Sequence, residues 1–188
     1  FEQATRVVEF GCGAGRFAQS LLADHLSPQA TYRGCDISTT MLKLTEQRLQ
    51  QFGERAETWK YTGEGQLPLP DTNADRFVST YVFDILSYDE IHLMIAEARR
   101  ILTPDGLLCL VSLTNGEHGF SKLITALWKL RYVLKPSLVG GCRLVELQPF
   151  LPAGDWEILH RDIVIGQGIS SEVIVARTIF HRRIWSRN

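Results

Sequence analysis

The sequence predicts an α/β fold built as a doubly wound sheet, and three observations carry that prediction. An apolar run, Val7–Phe10, opens straight into alternating glycines at Gly11, Gly13 and Gly15. Segments of strand and helix character then alternate from Val7 to Leu113. Two β-rich runs close the chain, Trp156–Ile165 and Glu172–Phe180, joined around Gly166–Ser171 as a hairpin that gives the sheet an antiparallel edge. Short connections between alternating strands and helices leave a mainly parallel sheet with helical crossovers as the layering that buries every apolar face.

The elements follow in order. Val7–Phe10 reads as a buried strand, and Arg16–Ala23 has helical spacing, with Phe17, Leu21 and Leu22 on one side. The glycines between them suit a turn that needs positive φ and a backbone that a ligand can approach without meeting a Cβ. The helix start offers unpaired N–H groups to an electron-rich ligand. A turn that merely joins strand to helix is the alternative. A dinucleotide fingerprint, G-x-G-x-x-G, would put glycine where Arg16 stands, and Glu9 before the loop is foreign to it. A second strand, Ala30–Cys35, closes on Asp36, an acid placed to accept hydrogen bonds from both hydroxyls of an unphosphorylated ribose. Ser38 is positioned as the N-cap of a helix running to about Phe52.

A third strand, Thr58–Thr62, runs into a polar loop through Pro70, and Asp71–Ala74 turns the chain into a fourth strand, Arg76–Tyr81. Ser87 with Glu90 forms a capping box for a helix through Leu102, whose Ile91, Met94, Ile95, Ala98 and Ile101 face a sheet. Thr103–Gly106 reads as a turn, and Leu107–Leu113 as a fully apolar central strand. Arg143–Leu151 reads as a last helix before a turn at Pro152–Gly154.

Composition excludes several classes. With 188 residues and 45% hydrophobic content, the chain has the core of one globular domain, residues 1–188. A net charge of -1 gives no support to a nucleic-acid partner. Cys12, Cys35, Cys109 and Cys142 are scattered without C-x-x-C or histidine clusters, so no metal site is expected and the thiols read as buried groups of a reducing, cytoplasmic compartment. No run reaches the roughly 18 apolar residues of a spanning helix, and no signal peptide is visible.

The stretch Glu9-Phe10-Gly11-Cys12-Gly13-Ala14-Gly15 resembles the first motif of the class I methyltransferases that use S-adenosylmethionine, and Cys35-Asp36-Ile37-Ser38 resembles the second. Glu64-Gly65 before Leu67-Pro68 stands where that family carries an acid and a small residue. Arg100-Ile101-Leu102-Thr103-Pro104-Asp105-Gly106 is similar to its turn into the central strand, with Asp105 for a glycine. The resemblance implies a Rossmann-like, seven-stranded, mostly parallel sheet with an antiparallel last strand and helices on both faces. It implies S-adenosylmethionine as cofactor and S-adenosylhomocysteine as product. Carried over by residue, Gly11, Cys12 and Gly13 approach the methionine part, and Glu9 orients its amino group. Asp36 holds the ribose hydroxyls, Ile37 and Met41 cover the adenine, and Glu64 and Gly65 meet its edge. Thr80 and Tyr81 lie near the sulfonium. Family members usually have helices before the first strand, which leads us to expect that such helices are missing ahead of Phe1.

The methyl group of that cofactor is already activated, so the protein chiefly positions the acceptor and excludes water. Tyr81, Asp84, Tyr88 and His118 fall near the expected acceptor, but none has the spacing of a catalytic pair, and no catalytic residue is assigned. The segment from Asn115 to Pro149 is where the family inserts its substrate-specific element. From Glu117 to Arg143 it carries five basic residues and one acid around a broad apolar arc that includes Phe120, Leu123, Leu127 and Leu130. A packing helix, a lid over a hydrophobic pocket and a peripheral contact with anionic lipid through 117–143 all suit that pattern. The expected function is methyl transfer to a small-molecule acceptor, apolar or lipid-like. A non-catalytic S-adenosylmethionine-binding module and a nicotinamide oxidoreductase are the competing readings.

Overall fold

Five successive segments pair as parallel strands because their apolar residues are buried from both faces, which only helix-covered sheets provide. The structure, a computed structural model, describes residues 1–114, 143–166 and 169–179. The strands are β1 (Arg6–Phe10), β2 (Thr31–Asp36), β3 (Ala56–Lys60), β4 (Ala74–Thr80), β5 (Leu102–Leu113), β6 (Trp156–Gly166) and β7 (Ile169–Thr178). They form one seven-stranded sheet in the order β3-β2-β1-β4-β5-β7-β6. The pairings among β1 to β5 are parallel, while β7 runs antiparallel to both β5 and β6. The chain reverses its direction of winding between β1 and β4, and in open α/β sheets ligands bind outside the strand ends at such a point.

Alternation along the strands divides the core in two. Val7, Tyr32 and Val78 pack with Ala18, Leu21, Leu22, Leu42 and Leu49 on one face of the sheet. Val8, Phe10, Phe77, Leu108, Leu110 and Ile174 meet Ile91, Met94, Ile95, Ala98 and Ile101 on the other. The first face is covered by α1 (Arg16–Ser20), which passes directly into a π-helical turn at Leu21–His25, and by α2 (Thr39–Leu49). The second is covered by α3 (Tyr88–Ile101). The expected caps form: Ser38 accepts from the Met41 N–H, and Ser87 and Glu90 make a reciprocal capping box. Ser87→Ala should therefore cost about 1 kcal/mol, read as a lower urea midpoint at unchanged slope; an unmoved midpoint would discount the cap.

Two segments differ from the sequence expectation. Arg143–Leu151 is not a helix. Only Gln148–Phe150 makes a single 3-10 turn, with Pro149 inside it. The preceding residues bond to distant strands instead, the Val145 N–H donating to the Leu113 carbonyl and the Leu147 N–H to the Glu172 carboxylate. Thr103–Gly106 is not a free turn either. It is folded into the start of β5 as an irregularity, so that Leu102 pairs with Ala74 and Leu107 with Arg76. The amphipathic segment expected within 117–143, His118 included, lies outside the described residues, as do Cys142 and His181.

Candidate cofactor site

The carboxyl ends of β1, β2 and β4 bring the glycine loop, Asp36 and Tyr81 to one edge of the sheet. Gly11, Gly13 and Gly15 all have positive φ, at 80°, 53° and 72°. They do different work. A Cβ on Gly11 would come within 2.1 Å of Val82 and one on Gly15 within 2.8 Å of Thr45, so both are glycines for close packing. A Cβ on Gly13 would meet nothing within 4 Å, which leaves an open backbone face above the loop.

Four of the loop's N–H groups are bonded inside the protein. The N–H groups of Gly11 and Cys12 both donate to the Cys35 carbonyl, at 2.8 and 2.9 Å, and that of Gly15 donates to the Cys12 carbonyl. The Gly13 N–H donates to Asp36 Oδ2 at 2.9 Å, and the Ser38 N–H to Asp36 Oδ1 at 2.8 Å. A pyrophosphate needs several of these donors free; a ligand that reaches the loop through its own hydrogen-bond donors does not. Each Asp36 oxygen keeps a second lone pair for an incoming hydroxyl. Asp36 thus fastens the loop and presents an acceptor pair beside the open face of Gly13.

Apolar cover stands next to that acid. Ile37 is 65% exposed and Met41 38%, unusual for large side chains with a core nearby, and both follow β2 directly. Across the loop, Glu64 is exposed between Gly63 and Gly65, both at positive φ, and the Gly65 N–H donates to the Tyr61 hydroxyl. Tyr61 packs edge-on against Phe10, so the 63–65 turn is tied to the end of β1. The same loop is anchored from α3, where buried Glu97 accepts the Leu67 N–H and pairs with Arg100, which also reaches Asp71 and the Leu67 carbonyl. Glu97 carries no signal in the sequence beyond its place on the helix, because its partner is a loop some thirty positions earlier.

Glu9 and Cys12 lie deeper than the sequence suggests. Glu9 is 1% exposed and accepts the Tyr32 hydroxyl at 2.5 Å. Burial pushes its carboxyl up to about 7, against the lowering effect of the Tyr32 bond, and the charge of Asp36 adds to the rise. Tyr32 fits because Gly34 leaves it room: a Cβ there would sit 2.4 Å from the Tyr32 oxygen. The Cys12 thiol is buried and raised, first by burial and then by Glu9 and Asp36, so only its backbone faces the loop.

At the end of β4, Thr80 is half-buried, and Tyr81 takes a positive φ of 59° with its hydroxyl 3.0 Å from Ser171 Oγ. Asp84 is fully buried, accepts the Leu113 N–H at 3.0 Å, and is pushed up to about 7 by burial, with that bond and Arg143 opposing the shift. Arg143 lies 4.5 Å above the exposed Tyr88 ring. His92 packs on Phe150, and His25 and His160 are exposed.

Residues 7–106 match the family described as a methyltransferase domain, which is more than half of the chain. A demethylmenaquinone methyltransferase of Geobacillus kaustophilus is 27% identical over 123 residues, 65% of this chain and 51% of that protein. A chicken (Gallus gallus) tRNA N(3)-cytidine methyltransferase is 25% identical over 108 residues, 56% of this chain and 29% of that protein. The chain thus spans about half the length, or less, of these curated relatives. Among solved structures, a SAM-dependent methyltransferase of Methanosarcina mazei superposes with a TM-score of 0.73 at 18% identity, covering 96% of this chain and 95% of that one. The [4+2]-cyclase SpnF superposes with a TM-score of 0.71 at 16% identity, over 94% of this chain and 76% of that one. Such structural likeness speaks for the fold, while the sequence match, the strand order and the loop closed on Asp36 speak together for the family. The chain belongs to the class I methyltransferases that use S-adenosylmethionine.

Proposed function

We propose that this chain transfers the methyl group of S-adenosylmethionine to a small-molecule acceptor with an apolar, lipid-like body. The observation that carries the cofactor reading is Asp36, which closes the glycine loop through Gly13 and Ser38 while keeping lone pairs for a ribose diol. Glu9 lies beneath the loop, and Ile37, Met41, Glu64 and Gly65 stand where an adenine would lie between apolar cover and a polar edge. Bound there, the cofactor supplies an activated methyl carbon to an attacking atom of the acceptor. Thr80 and Tyr81, at the end of β4, border the acceptor's approach, and their part is to orient it and to keep water out.

Support for an apolar acceptor comes from the surface beyond β4. Tyr81, Ile85 and Tyr88 are 48%, 53% and 60% exposed between the end of β4 and the start of α3. Exposed large apolar groups clustered beside a site mark what docks there. The quinone methyltransferases among the relatives agree with this choice, and a tRNA methyltransferase among them supplies the competing one. No described helix is long and apolar enough to cross a membrane.

The test uses the protein with radiolabelled S-adenosylmethionine and cell extract, followed by separation into lipid, small-metabolite, RNA and protein fractions. Label in the lipid or small-metabolite fraction is expected. Label confined to RNA would replace the acceptor class. Cofactor binding without transfer to any fraction would favour a non-catalytic module.

A further inference from the structure

The charge of the cofactor differs from that of the product, and one buried carboxyl, Glu9, lies beneath the loop over which the cofactor is read to bind. S-adenosylmethionine carries a sulfonium, an ammonium and a carboxylate, and so is a cation. S-adenosylhomocysteine has lost the sulfonium and is neutral overall. Glu9 lies two residues before Gly11, on the face of β1 that packs under α1 and α2. It is nearly inaccessible, and its neighbours make it a carboxyl held between two protonation states.

The neighbours can be named element by element. From β2, the Tyr32 hydroxyl donates to Glu9 Oε2 at 2.5 Å, and the Asp36 carboxylate acts on it through space. The thiols of Cys12, in the loop, and Cys35, on β2, are buried and stay protonated, so they add no charge. On the β4 side its register partner is Val78, which is uncharged, and the buried residues of α1 and α2 over this face, Ala18, Leu42, Thr45 and Leu49, carry no charge either. No cation among the described residues forms an ion pair with Glu9. The hydrogen bond from Tyr32 favours the ionised form, burial and Asp36 the neutral one, and the balance places the carboxyl at about 7. Gly34 is what makes the bond possible, since any side chain there would displace the Tyr32 hydroxyl.

We propose that Glu9 and Tyr32 form a proton-linked charge reader beneath the loop, which makes binding of the cationic cofactor release a proton and favours it over its neutral product. This rests on the reading that the cofactor lies over the glycine loop. Binding a cation near Glu9 stabilises the carboxylate, so the bound-state carboxyl titrates below about 7 and the proton leaves on binding. Affinity therefore rises as pH rises. Tyr32 acts through Glu9 and is a positioning residue; its hydroxyl keeps the carboxylate within reach of neutral pH.

Titration calorimetry on the wild-type chain in buffers of different ionisation enthalpy tests this without any variant. Release of about half a proton per cofactor is expected at about pH 7, and roughly fivefold tightening between about pH 6 and pH 7, below the titration of the cofactor's own amino group. S-adenosylhomocysteine should tighten by less over the same range. Glu9→Gln should bind with no pH dependence in that window. Tyr32→Phe should move the rise in affinity to higher pH, whereas a merely structural loss would lower affinity equally at every pH. Binding that is flat in pH for the wild type overturns the charge reader and leaves the cofactor site standing. Equal tightening for cofactor and product overturns the discrimination. Absence of S-adenosylmethionine binding overturns the cofactor reading and this inference together.

Discussion

Asp36→Ala should weaken S-adenosylmethionine binding about a hundredfold, and at least tenfold. Two charge-assisted hydrogen bonds to a ribose diol are lost, together about 3 kcal/mol when each is taken at the low end of about 1.5–3 kcal/mol. The variant also leaves the Gly13 and Ser38 N–H groups without their acceptor, so the loop loses its fastening as well as its ligand contact. Asp36→Asn separates the two effects, because an amide oxygen can keep one backbone donor while its NH2 opposes the other. It should recover part of the fold stability and little of the affinity. Calorimetric titration of both variants is the measurement; an affinity within twofold of wild type for Asp36→Ala would remove the acid from the site.

The glycine loop yields the second large effect, a contrast between two neighbours. Gly15→Ala should destabilise the fold by about 3 kcal/mol, combining roughly 1–2 kcal/mol for a left-handed alanine with roughly 1–3 kcal/mol of overpacking against Thr45. For a chain of this size that lowers the unfolding temperature by about 10 °C. Gly13→Ala pays only the backbone term, because its Cβ would project into open space. That same methyl would stand where the cofactor is expected, so Gly13→Ala should lose at least tenfold in affinity while melting within a few degrees of wild type. Thermal unfolding and cofactor titration on the pair decide it. If Gly13→Ala binds normally, the cofactor does not lie over that face; if Gly15→Ala melts normally, Thr45 and α2 yield more easily than their packing suggests.

Both predictions start from glycines that the sequence marks alike. The spacing at Gly11, Gly13 and Gly15 places a loop between strand and helix, and its chemistry distinguishes that loop from a dinucleotide fingerprint through Arg16 and Glu9. Which glycine packs and which faces outward depends on Val82 and Thr45, brought up from β4's end and from α2. The same holds for the loop's donors. Local pattern does not show that the N–H groups of Gly11, Cys12 and Gly13 go to the Cys35 carbonyl and Asp36, both on β2. Pairing across a sheet is invisible to a single strand's composition.

Elements with strong local signals were legible in the chain itself. The Ser87–Glu90 capping box, the apolar stripe of α3 and the alternation that builds the parallel sheet are written within a few residues each, and they fold as written. Arg143–Leu151 has apolar spacing that suits a helix, but its backbone is drawn into bonds with Leu113 and Glu172 from distant strands. Thr103–Gly106 has the composition of a turn, but the pairing of Leu102 and Leu107 with β4 on either side folds it into the strand as an irregularity.

The sequence by itself determined the class of fold, the motifs of an S-adenosylmethionine-dependent methyltransferase and the identity of Asp36 as the acid at the second strand's end. The tertiary structure alone decided that Asp36 fastens the loop it serves, that Glu97 and Arg100 anchor the 61–70 loop, and that Glu9 is buried against Tyr32 in the slot left by Gly34. The physical reason is range. Periodicity, caps and turns act over a few residues and leave their mark in the order of side chains, whereas burial, desolvation and a carboxyl's choice of partner are set by atoms that only the folded sheet brings together.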